Sequence, residues 1–183
     1  MDDDLSSSFV HRPSSTLIVG LGNPILGDDG VGWRVAEQVK QQLEGATHFR
    51  SVPHLIEVDC LSLGGLSLME RLAGYEHAVL IDAISTGQTP VGSVYSFALE
   101  ELPDPSAGHT ASVHDTSLLT ALKVGRTMGV SLPNEIVVVA IETESTYDFS
   151  EELTLPVAAA VPRAVELVLD SLHTDYGHEE TRR

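Results

Sequence analysis

The feature that most constrains this chain is a change of hydrophobic period across one short loop. An apolar run, Leu17 to Leu21, leads into Gly22-Asn23-Pro24-Ile25-Leu26-Gly27-Asp28-Asp29-Gly30. Val31, Val35, Val39 and Leu43 then recur at four-residue intervals. The run reads as a strand, and the recurrence as one stripe of a helix ending near Gly45. Strand, loop and helix in that order form the repeating unit of open α/β sheets, which bind ligands at loops leaving the C-terminal ends of strands. Such loops usually offer backbone amides to phosphate. This one offers two carboxylates, which favours a cation.

The alternation continues along the chain. Leu55 to Asp59 reads as a second strand, and Leu66, Met69 and Leu72 mark a second helix stopped by Gly74. Ala78 to Ile81 reads as a third strand. The stretch from Asp82 to Val91 is too short for a helical crossover, so the fourth strand, Ser93 to Phe97, is expected to run antiparallel to a neighbour. An acidic loop from Leu99 to about Ser112 precedes a helix from Val113 to Met128 and a last strand from Glu135 to Ile141. The final helix carries Val157, Val161, Val165, Val168 and Leu172 on one face. Pro156 suits its first turn, whereas Pro162 predicts a kink or a later start. This order predicts one three-layer αβα domain over residues 16–173, built on a mostly parallel, twisted five-stranded sheet with one antiparallel strand. Residues 1–15 and 174–183 are expected to be mobile tails.

Composition narrows the function. A chain of 183 residues is long enough for one full core, and its formal net charge of -17 argues against nucleic acid or an anionic membrane as partner. Cys60 is the only cysteine, which excludes an intramolecular disulfide and every thiolate zinc cluster. The acidic start, Met1-Asp2-Asp3-Asp4, has no apolar core of a signal peptide, and the longest apolar run, Ile136 to Ile141, is too short to span a bilayer. A cytoplasmic monomer is the expectation. Familiar nucleotide sites are also missing. The third glycine of a dinucleotide fingerprint would fall at Ile25, and no Gly-Lys pair exists for a P-loop.

What remains is a set of polar residues at expected strand ends. Asp29 follows the first strand, Asp59 ends the second, Asp82 ends the third, and His114 opens a helix. Parallel strands would bring these aspartates to one edge of the sheet, where carboxylates repel unless a cation or proton intervenes. An imidazole added to them gives an oxygen and nitrogen set suited to nickel, zinc or cobalt. Taken singly, each has a plainer role: Asp28 or Asp29 as a helix cap, Asp82 as a turn residue, His114 as a surface histidine.

In combination these residues resemble the hydrogenase maturation endopeptidases, which process the large subunit of nickel–iron hydrogenases. Gly22-Asn23, then Asp28-Asp29 and Gly30-Val31-Gly32, looks like the opening signature of that family. Asp82-Ala83 looks like its second acidic position, His114 after Ser112 like its histidine, and Glu142 with the apolar C-terminal helix like its ending. The resemblance covers about residues 16 to 173. One departure is that Asp59-Cys60-Leu61-Ser62 stands where the family often has Asp-Gly-Gly-Thr.

The resemblance implies an aspartyl-type endopeptidase that removes a C-terminal extension from the large-subunit precursor once nickel is in place. Asp29, Asp82 and His114 match the positions that bind the metal, with Asn23 and Asp28 as loop support. The nickel is then the substrate's own, and no organic cofactor is needed. Asp59, near the crevice, is the candidate base. Two other classes stay open on sequence: a metal-dependent hydrolase of a small substrate, and a non-enzymatic nickel-site assembly factor. The latter tends to carry His or Cys tracts, which this chain lacks.

Overall fold

The computed structural model describes residues 15–45, 55–101, 113–144 and 149–177; side chains of 113–117 and 173–177 lie outside that description. Five strands form one sheet: β1 (Ser15–Leu21), β2 (Leu55–Leu61), β3 (His77–Ile84), β4 (Val94–Ala98) and β5 (Glu135–Glu142). Their order across the sheet is β2-β1-β3-β5-β4. The first four in that order run parallel, and β4 pairs antiparallel with β5. The short connection after β3 therefore gives the antiparallel edge strand expected from its length.

Among the described residues, four α-helices cover the two faces: α1 (Val31–Gly45), α2 (Gly65–Leu72), α3 (Val113–Thr127) and α4 (Leu155–Gly177). Strand alternation sorts the core into two halves. Ile18, Val79, Ile81, Val139 and Ile141 pack with α1 and α4. Leu17, Val19, Leu80, Ile136 and Val138 pack with α2 and α3. This is the three-layer arrangement read from the sequence.

The boundaries of three elements are at issue. Asp59 and Asp82 lie inside their strands, because pairing continues beyond them: Leu61 stays in register with Leu21, and Ile84 with Glu142. The last helix begins at Leu155 and runs through Pro162, so no later start occurs. Its first turn tolerates Pro156, and the missing Pro162 amide removes one helical hydrogen bond without ending the helix. That helix also reaches Gly177, past the expected domain end at 173. Residues 1–14 and 178–183, the greater part of the two expected tails, lie outside the described residues.

Candidate functional site at the ends of β1 and β3

The chain leaves β1 through α1 to reach β2 on one side, and returns through α2 to β3 on the other. Crossovers thus depart in opposite directions between β1 and β3, and a crevice opens outside the carboxyl ends of such a pair. Asp29 is carried by the segment after β1, and Asp82 by β3 itself. The last paired residues are Gly20 and Ile81, so Asp82 lies one step beyond.

The β1–α1 segment is held by specific backbone geometry. Gly22 has φ +114, and a Cβ there would lie 1.8 Å from the Asp29 carbonyl oxygen. Only glycine lets the chain fold back so closely. The Asn23 amide then donates to Asp29 Oδ2 at 2.6 Å, while Asn23 Oδ1 accepts from the Ile25 amide at 3.3 Å. A 3-10 turn, Gly27–Gly30, follows and packs against β3. Gly32 sets how near α1 comes, since a Cβ there would meet the carbonyl oxygens of Leu21 and Ile81 at 2.3 and 2.4 Å. Asp28 faces inward, 4% exposed, and accepts the amide and hydroxyl of Thr154 at 2.7 and 2.8 Å.

Asp82 is 1% exposed, and its Oδ1 accepts the Ala83 amide at 2.9 Å. Alternation puts it on the face of Leu80 and Ile84, the side covered by α2 and α3. His114 is the second residue of α3. A short connection joins the end of α3 to the N-terminal end of β5, so the first turn of α3 lies toward the opposite, C-terminal edge. The His114 side chain lies outside the described residues. Among the described residues, no three His, Cys, Asp or Glu side chains form a group able to hold a metal.

Asp59 sits on the edge strand in a charged network with α2. Arg71 Nε donates to Asp59 Oδ2 at 2.7 Å, its Nη2 donates to Glu57, and its Nη1 donates to the Tyr75 hydroxyl at 2.9 Å. Tyr75 donates in turn to Glu57. Burial would lower the Arg71 guanidinium, but its hydrogen bonds to Tyr75 and Asp59 outweigh that and hold it above its usual range. Burial, then the bond to Glu57, pushes the Tyr75 phenol up. The candidate base is thus bound to a permanent cation.

Supporting residues that sequence reasoning did not single out are Ser62, Thr86 and Thr154. The Ser62 hydroxyl donates to the Gly22 carbonyl at 2.7 Å, tying the loop after β2 to the one after β1. Thr154 directly precedes a helix with Pro in its first turn, a capping signal that was available in the sequence.

Comparison with known proteins agrees with the fold. The Escherichia coli hydrogenase maturating endopeptidase HybD has a similar structure, with a TM-score of 0.67, 24% identity, and coverage of 88% of this chain and 93% of that one. The [NiFe] hydrogenase maturation protease HybD of Thermococcus kodakarensis superposes with a TM-score of 0.62 at 25% identity, covering 85% and 97%. In sequence, the hydrogenase 2 maturation protease of E. coli K12 is 27% identical over 156 residues, or 85% of this chain and 89% of its own length. Fold and sequence together place the chain among the peptide-bond hydrolases. It belongs to the hydrogenase maturation protease family, whose model matches residues 34–171. Among the described residues, no helix is long and apolar enough to cross a membrane.

Proposed function

We propose that this endopeptidase removes the C-terminal extension of the large-subunit precursor of a nickel–iron hydrogenase, and that it recognises nickel already seated in that precursor. Asp29, Asp82 and His114 supply the ligands on the protease side. The observation that carries the reading is the placement of the Asp29 loop and Asp82 at the ends of two adjacent parallel strands, where the crossovers diverge. The helix that carries His114 packs, through Leu118, Ala121 and Leu122, on the sheet face to which Asp82 belongs.

Two carboxylates and one imidazole leave coordination positions for ligands that the precursor provides. The nickel enters as part of the substrate, so binding couples cleavage to completed metal loading. Shared coordination also holds one peptide bond near the crevice, and such orientation lowers the barrier to hydrolysis. Water adds to the carbonyl carbon, the C–N bond breaks, and the extension leaves with a new amino terminus. The reaction is assigned to the cytoplasm, in keeping with a single cysteine in the chain.

The test is a mass shift. Incubating the protein with nickel-loaded precursor is expected to shorten the precursor by one segment, whereas metal-free precursor stays intact. Asp29→Asn, Asp82→Asn and His114→Ala are each expected to abolish the shift. Full activity in all three variants rules the coordination reading out.

A further inference from the structure

Glu142 ends β5 at the same edge of the sheet and is 1% exposed. A carboxylate so far from water is costly unless its oxygens are satisfied. Here Oε1 accepts the amides of Thr86 and Gly87 at 2.7 and 2.8 Å, and Oε2 accepts the Thr86 hydroxyl at 2.8 Å. The backbone of the same residue holds the far end of that connection. Its amide donates to the Ser93 carbonyl at 2.8 Å, and its carbonyl accepts from the Gly92 amide at 2.8 Å. One residue therefore pins both ends of the segment that leaves β3 at Ile84, two residues after Asp82.

That segment is also braced against α4. Gly92 has φ +87, and a Cβ there would meet the Pro156 carbonyl oxygen at 2.6 Å. Pro156 lies two residues beyond Thr154, which Asp28 grips from the other loop. A continuous frame results: Asp29 loop, Asp28, Thr154, the first turn of α4, Gly92, Glu142, and the Thr86–Gly87 turn beside the Asp82 strand. Its two carboxylates each receive the amide and hydroxyl of one threonine.

We propose that Glu142 is a positioning residue of the peptidase site: it fixes the β3–β4 connection and, through the frame, the separation of Asp82 from Asp29. It touches neither substrate nor nickel. The proposal rests on the function assigned above to Asp29 and Asp82.

The experiment compares wild type, Glu142→Ala, Glu142→Gln and Thr86→Val in cleavage of nickel-loaded precursor, with Asp82→Asn as control. Thermal unfolding and hydrogen exchange at the Thr86 and Gly87 amides are read alongside. Glu142→Ala is expected to lower kcat at saturating precursor by roughly tenfold to a hundredfold, as small misplacements of a site do. The two amides should lose protection while the variant still unfolds cooperatively. Glu142→Gln keeps an acceptor for both amides and, because the Thr86 hydroxyl can reverse its role, is expected to restore most activity. Thr86→Val removes the hydroxyl's bond to Glu142 and the one it accepts from the Gln88 amide, keeps both amides on Glu142, and is expected to fold and to give a smaller loss of kcat. Unchanged kcat and KM in both Glu142→Ala and Thr86→Val, with Asp82→Asn inactive, overturns the positioning role. If Glu142→Ala fails to fold, unchanged kinetics in Thr86→Val alone overturns it. Full activity of Asp82→Asn instead sinks the underlying assignment, a distinguishable result.

Discussion

The carboxylate of Asp28 and Thr154 lie 126 residues apart in sequence yet share two hydrogen bonds, from the Thr154 amide and hydroxyl. Thr154 accepts the Ala158 amide at 2.8 Å, so it stands at the N-terminal boundary of α4. Asp28 therefore joins the loop after the first strand to the last helix. The Gly27 amide to the Ser150 carbonyl at 2.6 Å, and the Ser150 amide to the Ile25 carbonyl at 3.1 Å, reinforce that join.

Asp28→Ala removes a buried carboxylate and with it the acceptor of the Thr154 amide and hydroxyl, a partly buried pair of bonds to a charged group. A stability loss of about 1–3 kcal/mol is expected, read by denaturant unfolding. Cleavage should fall as well, because the Asp29 loop loses its anchor. A variant as stable as wild type would show that the contact is dispensable.

Gly22→Ala places a methyl group where the Asp29 carbonyl now sits, at a φ that side chains rarely adopt. The backbone must move, at a cost of about 1–3 kcal/mol. Cleavage should drop further than stability alone explains, since the Asn23 amide that orients Asp29 moves with it. Kinetics measured well below the melting temperature separate the two effects.

Asp59→Asn and Arg71→Met test the charged network on β2. The partners are partly exposed, so each change is expected to cost less than about 1 kcal/mol. If Asp59 only anchors α2, both variants lose the same small factor in cleavage, and this is the outcome the geometry favours. A large kcat loss confined to Asp59→Asn would instead identify a base.

Cys60 offers a pH-dependent readout. Burial raises its thiol, and the charges of Glu37 and Asp59 add to that shift. The folded state thus holds the proton more tightly than the unfolded chain. Its contribution to stability is present below the ordinary thiol range and is lost as pH rises through the elevated value. Alkylation by iodoacetamide is expected to be slower than for an unfolded peptide at mildly alkaline pH, and Glu37→Gln should speed it. Equal rates in folded and unfolded protein would count against this.

Sequence alone determined the layer architecture and the antiparallel strand, because hydrophobic period and connection length are local properties. The period change at Gly22–Gly30 fixed a strand, a loop and a helix, and the length from Asp82 to Val91 left no room for a crossover helix. Sequence also marked Asp28 and Asp29 together, but gave no means to tell which one faces inward. Only the tertiary structure decided that. Asp28 turns toward Thr154 and Asp29 toward the Asn23 amide, and Asp59 is drawn to Arg71. Glu142 becomes the anchor of the segment after Asp82. Each of these depends on partners brought close by strand order. A carboxylate's role follows from which donors surround it, and no spacing along the chain encodes donors that arrive from elsewhere in the fold.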